Sequence, residues 1–569
     1  MELISDEQNI RLAYRNIKRN KGSNTAGIDG LIIKDIERLH VEDVVEKVKA
    51  MFSWYEPQTV RRVFIPKPNG DQRPLGIPTI WDRIFQQCIL QVLDPICEAK
   101  FHKHSYGFRS NRSTHHALGR FKNLINIAGF SQCIAIDIKG FFDNVNHGKL
   151  LKQIWSLGIR DKKLLSILSR LLKSNIGGEG ILEKGTPQGG ILSPLLSNIA
   201  LNELDWWVSN QWETFRSKYK YFMTSSMYKA LKKTKLKECY IIRYADDFKI
   251  LCRTRSQANR MFLAVKQFLK ERLKLDINME KSKIISLKRK ETEFLGFRIK
   301  FIKRGGTKHG YVAHSNMTDK AFKNAHFKIR ESIKKIQKRA CAETVKNFNA
   351  TVIGIQNYYS RATNISNNLA KISLWTHRAL YNRLGHHRAK ATWKDYTKTL
   401  KERYKGYNFQ MFKMKGIIFV PVYAQKHRPP LGFNQEISNY RVVGRDKVHK
   451  NLKMKKETLG YVINGYISNR SIEYNDNRIS KFISQYGRCA LTNIELTSND
   501  WDCHHIIPME FGGTDRYENL IVLHRSIHQL VHLTDKRKIE CVLEAFQLSK
   551  REIEKVNELR IKARNIVIK

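Results

Sequence analysis

Three aspartates stand at the ends of short apolar runs, where the strands of a sheet would otherwise carry apolar side chains. Asp246 and Asp247 interrupt "IIRYADDFKILC", and Asp137 ends "CIAID". Aspartates that end neighbouring strands form a natural ligand set for Mg²⁺, which takes a few carboxylates together with water and phosphate oxygens. Two such ions about 3.5–4 Å apart would activate a 3′-hydroxyl and stabilise a departing pyrophosphate. The ordinary alternative is an acidic hairpin turn and a helix cap.

A second candidate group, rich in histidine, lies in "DCHHIIPMEFGGTDRYENLIVLHRSIHQLVH". His528 and His532 are four residues apart, so a helix would present both rings on one face. With His504 from a β-type run, they would grip one ion. His505 points the other way and would be free to take a proton from water, while Asn519 would hold its ring in orientation. The alternative is a set of surface histidines without a metal.

The charge of the chain indicates a polyanionic partner. Its 569 residues include 103 Lys and Arg against 52 Asp and Glu, which gives a formal net charge of +51. Such an excess repels itself in a compact protein unless a polyanion neutralises it, and nucleic acid is the commonest one. Residues 301–470 hold 35 Lys and Arg but only 8 Asp and Glu, so nucleic acid is expected along this stretch. A solvated basic surface is the alternative.

Cysteine usage and hydropathy favour an intracellular protein. The nine cysteines follow no regular framework, and the first residues contain no secretory apolar core. The opening stretch, "MELISDEQNIRLAY", carries acids that transit peptides avoid, and no apolar run approaches the roughly 18 residues that span a bilayer. We therefore expect a soluble protein of a bacterial cytoplasm, associated with the nucleoid when bound to DNA. An organelle that encodes the protein is the alternative.

The alternation of helical and strand-like segments predicts an α+β protein of several domains. "VRRVFIPKPNGDQRPLGIP" indicates a basic hairpin that turns at "PNGD", and residues 91–300 alternate helices with apolar strands. Further along, a stripe of apolar residues at helical spacing is expected to be core. The stripe comprises Phe322, Ala325, Ile329, Ile333 and Ile336.

Several of these segments together resemble one known family. "FIPKPNGDQRPLGIPTIWDRIFQQ", "HSYGFRSNRSTHHAL", "AIDIKGFFDNVNH", "GTPQGGILSPLLSNIALNELD", "RYADDF" and "FLGF" resemble the sequence blocks of group II intron reverse transcriptases. The likeness covers about residues 10–300, and "IGIQNYYSRATN" is similar to the family's thumb, the maturase or X domain. It implies a right-hand polymerase with fingers, a palm with an antiparallel sheet and a helical thumb. It also implies RNA-templated DNA synthesis and assistance to intron splicing.

Matched position by position, the resemblance implies roles for three sets of residues. Asp137, Asp246 and Asp247 match the aspartates that hold two Mg²⁺ ions. At the incoming dNTP, the resemblance implies Lys67 and Arg73 as the cations that contact the triphosphate. It implies Phe142 as the steric gate against the ribose 2′-hydroxyl and Gln188 as the amide beside the nucleotide. The residues implied in the primer grip are Phe294, Leu295 and Gly296. Taken alone, Phe142 also fits plain core, Lys67 fits a solvated charge, and the tyrosines of "NYYSRATN" fit either RNA contact or half-buried packing.

The histidine-rich segment resembles the HNH, or ββα-metal, endonucleases over about residues 486–535. The resemblance implies a single divalent ion, Mg²⁺ or another, held by His504, His528 and His532. It also implies His505 as the general base and Asn519 as the residue that positions it. The expected reaction is hydrolysis of one DNA strand.

A structural zinc ion, bound by Cys489, Cys503 and neighbouring histidines, is the alternative use of this segment. Many intron-encoded relatives carry two Cys-x-x-Cys pairs around the same core. Here Thr492 stands in the partner position of Cys489, and the second pair is replaced by His524 and Ile527. A four-ligand site therefore does not close, and we expect apolar packing instead.

The two resemblances together predict five domains and one combined function. The domains are an N-terminal extension with fingers (1–90), the palm with further fingers elements (91–300), a helical thumb (301–420), a basic DNA-binding region (421–478) and an HNH module (479–569). A nick in the target would supply the 3′-hydroxyl that the polymerase extends along intron RNA. The expected partners are therefore intron RNA, target DNA and dNTPs, without a membrane, and a dimer stays open. Two alternatives stay open as well: an RNA-binding maturase with little catalytic activity, and a reverse transcriptase of another retroelement.

Overall fold

The computed structural model describes residues 1–66, 70, 72–307, 309–448, 456–497 and 499–568. It combines helices with small antiparallel sheets, so the predicted α+β class is confirmed. The chain divides into two compact units. The first comprises Met1–Lys100, Asn146–Leu196 and Asn439–Lys569, and the second comprises Phe101–Val145 and Ser197–Ser438. Within the described residues, no helix is both long and apolar enough to cross a membrane.

The first unit contains an amphipathic N-terminal helix, Glu7–Lys18, that packs on the long helix Ile80–Glu98. Asp6 caps its start, because its side chain accepts hydrogen bonds from the backbone N–H groups of Gln8 and Asn9. The apolar positions recur every three or four residues and face inward. The buried residues are Ile10, Ala13, Tyr14 and Ile17.

The remaining elements of the first unit are mostly helical. Its other helices are Glu2–Ser5, Ile33–Glu37, Val41–Ser53, His147–Ser156, Lys162–Leu172, Val442–Val448, Lys456–Asn464, Ile472–Ser484, Arg525–His532, Lys536–Phe546 and Lys550–Lys562. Its strands are Arg61–Pro66, Gln72–Ile77, Asn175–Ile176, Gly180–Ile181, Trp501–His505 and Leu520–His524. Arg61–Pro66 and Gln72–Ile77 pair antiparallel, as the hairpin predicted from the sequence requires, while its predicted turn at "PNGD" lies, apart from Gly70, outside the described residues.

The second unit contains a four-stranded antiparallel sheet, which we call the palm sheet. Its strands follow the order Cys239–Tyr244, Asp247–Cys252, Gln132–Ile136 and Lys283–Ser286. The three long strands read as nearly continuous apolar runs because both faces of the sheet are covered, and helix Arg255–Gln267 packs on the sheet. The register pairs Ile136 with Phe248 and Tyr244 with Asp247.

The other elements of the second unit surround this sheet or form a helical bundle. The helices are Thr114–Asn126, Phe141–Asn144, Thr224–Leu231, Arg255–Gln267, Asp319–Lys338, Ala342–Tyr359, Ile365–Leu384 and Lys398–Tyr404, and helix Ser193–Asn210 has residues in both units. The further strands are Thr292–Phe294, Phe297–Lys303, Tyr311–Met317, Ala389–Lys390, Phe412–Met414 and Ile417–Ile418. In Asp319–Lys338 the predicted stripe is buried at Ala325, Ile329, Ile333 and Ile336. Phe322 is half-buried and meets the edge of Trp375.

The C-terminal part of the first unit is a ββα arrangement of Trp501–His505, Leu520–His524 and Arg525–His532. Its apolar cluster includes the buried Cys489 and Cys503, which pack as expected. The cluster also includes residues upstream of 479, namely Val462 and Tyr474. The predicted boundary between 478 and 479 therefore needs correction: it falls inside helix Ile472–Ser484, whose apolar face completes the core of the module.

Candidate functional site

The three aspartates lie at one edge of the palm sheet. Asp246 belongs to the two-residue turn that joins strands Cys239–Tyr244 and Asp247–Cys252, and Asp137 follows the neighbouring strand. Because Ile136 pairs with Phe248, both strands reach the edge together. All three carboxylates line a cavity of about 500 Å³. The side chains of Asp137 and Asp247 are 50% and 39% exposed, so their oxygens are accessible to a hydrated cation.

Lysines surround these carboxylates. The Lys249 ammonium lies 2.9 Å from Asp247 Oδ1, and the Lys281 ammonium lies 3.9 Å from Asp137 Oδ2. Lys249 is only 7% exposed, and its Nζ lies 5.6 Å from the centre of the Phe294 ring. Lys249, which is not among the residues predicted from the sequence, links a carboxylate of the cavity to a residue expected in the primer grip.

A buried ion pair holds the turn that carries Asp246. Arg243 and Asp205 are each 1% exposed, and their side chains approach to 2.6 Å. The Arg243 guanidinium also donates to the carbonyl of Ala245 at 2.8 Å and to the side chain of Asn198 at 3.0 Å. Ala245 has a φ of 57°, in the left-handed region that non-glycine residues rarely adopt. The guanidinium therefore fixes a strained turn at the point where the carboxylates are presented.

The segment "HSYGFR" supports the same turn from its other side. The Tyr106 N–H donates to the Arg243 carbonyl at 2.9 Å, and the Arg243 N–H donates to the His104 carbonyl at 3.1 Å. A Cβ atom on Gly107 would lie 2.2 Å from the backbone nitrogen of Ala245. Only glycine permits this approach, so Gly107 belongs to the supporting structure of the site.

The residues expected in the primer grip form a tight hairpin. Phe294 is 1% exposed and pairs with Phe297, and between them Leu295 and Gly296 have φ values of 52° and 81°. Two left-handed residues in a two-residue loop are typical of a type I′ turn. The hydroxyl of Tyr358 donates to the Leu295 carbonyl at 3.0 Å. This tyrosine of "NYYSRATN" is half-buried and packs on the hairpin.

The residues expected at the incoming nucleotide lie in three places. Arg73 is exposed on strand Gln72–Ile77, while Lys67 lies outside the described residues. The Gln188 carbonyl accepts a hydrogen bond from the Gly76 N–H at 2.6 Å, which ties the "PQGG" loop to the hairpin within the first unit. Phe142 is half-buried in the second unit, edge-on to Phe141.

The histidine trio, which we define as His504, His528 and His532, has ligand nitrogens that all lie within 4.8 Å of one another. His504 is 3% exposed, and its Nε2 atom is buried without a hydrogen-bond partner among the described residues. Burial, reinforced by the neighbouring histidines, lowers the pKa of His504 to about 3, so its ring is neutral. The Nδ1 atom of His528 lies 3.1 Å from Asp502 Oδ2, which leaves Nε2 for a ligand. An orphaned, neutral imidazole beside two others fits a divalent ion.

His505 contacts two residues that carry no recognisable signal in the sequence. Its Nε2 atom lies 2.7 Å from Asp515 Oδ1, and the Tyr474 ring stacks on it at 5.2 Å. Burial alone would raise the pKa of Asp515, but hydrogen bonds from His505 and Ser471 outweigh burial and lower it. An ionised Asp515 favours the His505 tautomer that carries its proton on Nε2, and in that tautomer the lone pair on Nδ1 is available.

Asn519, which the sequence predicts to orient the His505 ring, lies against the loop between His505 and Asp515. The Ile507 N–H donates to Asn519 Oδ1 at 2.9 Å, and the Asn519 amide N–H donates to the carbonyls of Ile507 and Thr514. Its hydrogen bonds therefore go to the backbone of the loop, whereas Asp515 contacts the ring. Both the histidine trio and His505 line one cavity of about 540 Å³, which Arg470 and Arg478 also line.

Comparisons with known proteins identify two domain families in the chain. Residues 65–299 match the family "Reverse transcriptase (RNA-dependent DNA polymerase)", and residues 487–533 match "HNH endonuclease". "Protein YkfC" of Escherichia coli is 34% identical over 300 residues, which cover 50% of this chain and 78% of that protein. The "Group II intron-encoded protein LtrA" of Lactococcus lactis is 30% identical over 429 residues, which cover 62% of this chain and 69% of that protein. This chain belongs to the group II intron-encoded proteins.

A more distant relative widens the range of hosts. The "Putative COX1/OXI3 intron 2 protein" of Saccharomyces cerevisiae is 26% identical over 440 residues, which cover 64% of this chain and 49% of that protein. The expectation of a multifunctional intron protein with a reverse transcriptase domain and an HNH endonuclease domain is confirmed. Both domain families generally use divalent metal ions, and group II intron proteins bind intron RNA.

Proposed function

We propose that this group II intron-encoded protein copies its intron RNA into DNA at a target that its own nuclease has nicked, and that it assists splicing of the intron. The observation that carries the proposal is the presence of two assembled sites in one chain. Three carboxylates line one cavity, and the histidine trio with His505 lines another. Each set has the ligand chemistry that its reaction needs.

In the polymerase, Asp137, Asp246 and Asp247 would hold two Mg²⁺ ions. When bound, these ions activate the primer 3′-hydroxyl and stabilise the departing pyrophosphate. The other roles belong to protein side chains. Arg73 and Lys67 neutralise the triphosphate, Phe142 blocks a ribose 2′-hydroxyl, and Gln188 lies by the incoming nucleotide. The hairpin of Phe294, Leu295 and Gly296 holds the primer end.

In the nuclease, the histidine trio would hold one divalent ion, Mg²⁺ or another. When bound, the ion stabilises the negative charge that develops on the phosphate and on the leaving 3′-oxygen. His505 accepts a proton from the attacking water at Nδ1, and Asp515 stabilises the resulting imidazolium. Asn519 acts as a positioning residue, because it closes the loop between His505 and Asp515. No role for a structural zinc is proposed, since Cys489 and Cys503 pack in the apolar core.

The basic segments of the chain are the proposed binding surfaces for intron RNA and target DNA. Intron RNA lies along residues 301–470 and target DNA along residues 421–478, where phosphate contacts give affinity but little sequence preference. Base pairing between intron RNA and DNA therefore chooses the target. The proposed location is a bacterial cytoplasm, with an organelle as the alternative.

The five proposed domains are retained, except that the nuclease domain now begins upstream of helix Ile472–Ser484.

The experiment that tests this proposal is primer extension on an RNA template with Mg²⁺ and dNTPs, run beside a plasmid nicking assay. Asp246→Ala should abolish extension and leave nicking and RNA binding intact, whereas His505→Ala should abolish nicking and leave extension intact. Loss of both activities in either variant would contradict two separate sites. Absence of extension and nicking in the intact protein would favour a maturase that only binds RNA.

A further inference from the structure

The N-terminal helix Glu7–Lys18 contacts the nuclease module within the first unit. The Tyr14 hydroxyl donates to Glu473 Oε2 at 2.8 Å, and the Lys18 ammonium lies 2.6 Å from the same oxygen. Arg15 and Lys18 also pair with Asp476, at 3.3 and 3.2 Å. Tyr14 is 0% exposed and Glu473 is 6% exposed, so these are interior contacts rather than surface ion pairs.

A second contact joins the two segments through their backbones. The N–H of Ile472 donates to the carbonyl of Leu39 at 3.0 Å, and His40 forms a β-bridge with Ser471. The start of helix Ile472–Ser484 is therefore held from two directions by residues from the first forty of the chain. This turn carries Ser471, whose hydroxyl donates to Asp515 Oδ2 at 2.5 Å.

From Glu473, hydrogen bonds continue to the loop that holds the nuclease base. The Asn477 amide donates to Glu473 Oε1 at 2.7 Å and to the backbone carbonyl of Asp515 at 2.8 Å. The Lys18 ammonium donates to the side-chain oxygen of Asn477 at 2.9 Å. Asp515 in turn accepts the hydrogen bond from His505. A continuous series of hydrogen bonds therefore runs from Lys18 through Asn477 and Asp515 to the ring of His505.

We propose that the N-terminal helix is a positioning element of the nuclease: Tyr14 and Lys18 fix Glu473 and Asn477, which fix Asp515 and thereby the ring of His505. The inference rests on the proposed nuclease activity. Burial and the Glu473 carboxylate raise the pKa of Tyr14 well above its ordinary value, so its hydroxyl stays a donor. A segment assigned by sequence to the polymerase would then set the geometry of DNA hydrolysis.

The test uses the full-length protein bound to its intron RNA and follows nicking of a supercoiled plasmid that carries the intron's DNA target, with Mg²⁺ or Mn²⁺. Lys18→Met removes the ammonium, Lys18→Arg restores a cation, and Lys21→Met removes an exposed lysine three residues further along as a matched control. Because displacing a base by about 1 Å costs on the order of 100-fold, Lys18→Met should lower kcat for nicking about 10–100-fold. KM should stay within about twofold, Lys18→Arg should recover most of the rate, and Lys21→Met should match the intact protein.

Several outcomes would overturn the inference. A rise in KM at unchanged kcat would mean that Lys18 binds DNA. Loss of primer extension in parallel with nicking by Lys18→Met, both recovered by Lys18→Arg, would mean that Lys18 supports the whole fold and not the position of His505. Nicking by Lys18→Met at the rate of Lys21→Met would mean that the contacts do not position the base. If the intact protein extends primers but nicks no plasmid with either ion, the proposed nuclease function fails first, and this inference falls with it.

Discussion

The buried pair of Arg243 and Asp205 gives the sharpest test of how the polymerase carboxylates are held. Asp205→Ala would leave a guanidinium that is 1% exposed without the carboxylate that pairs with it. Breaking such a pair costs about 3–5 kcal/mol. Since each 1.4 kcal/mol or so is a factor of ten, the amides of Cys239–Cys252 should exchange with D₂O about two to four orders of magnitude faster.

The matched control lies on the same helix. Glu203 pairs with Arg272 at the surface, where the side chains are 27% and 63% exposed, so Glu203→Ala should cost no more than about 1 kcal/mol. The double variant Asp205→Leu with Arg243→Met replaces the pair by apolar groups and should restore slow exchange. Primer extension by the double variant should stay low, because the Ala245 carbonyl has lost its donor. Equal exchange in Asp205→Ala and Glu203→Ala would refute the reasoning.

Three further results are expected. Gly107→Ala should lower primer extension about tenfold or more and leave nicking unchanged, because the added Cβ would lie 2.2 Å from the Ala245 nitrogen. Full primer extension by this variant would show that the turn can move. Asp515→Asn should lower nicking about 10–100-fold while primer extension stays normal, because the His505 ring loses its anionic partner; an unchanged nicking rate would exclude this role. His528→Ala should weaken binding of Co²⁺, followed by its visible absorption, and undiminished binding would remove His528 from the ligand set.

The parts of both sites that follow from local pattern could be predicted from the sequence. Aspartates at the ends of apolar strands meet at a sheet edge because neighbouring strands share that edge, and the palm sheet brings Asp137 and Asp247 there. A spacing of four residues places His528 and His532 on one helical face, and the structure brings them to His504. Short-range periodicity, together with the family resemblance, was enough for these groups.

The supporting residues could not be predicted in this way, because their partners are set by tertiary packing. Asp515 looks like an ordinary loop residue in "GGTDRYEN", and only the closed loop brings it to His505. Lys249 occupies a strand position, where its contact with Asp247 depends on which side of the strand faces the cavity. Tyr14 and Glu473 are 459 residues apart, a separation at which sequence spacing carries no information.

That separation has a consequence for synthesis of the protein. A ribosome adds about 5–20 residues per second, so roughly 20–90 s pass between the emergence of Tyr14 and that of Glu473. During this time all four strands of the palm sheet are translated, whereas the N-terminal helix cannot yet contact Glu473. His505, the proposed nuclease base, reaches its final surroundings only in a chain whose reverse transcriptase domain has already been translated. Under the proposed function, every chain that is long enough to cleave DNA therefore already contains the segment that would copy RNA into the cut.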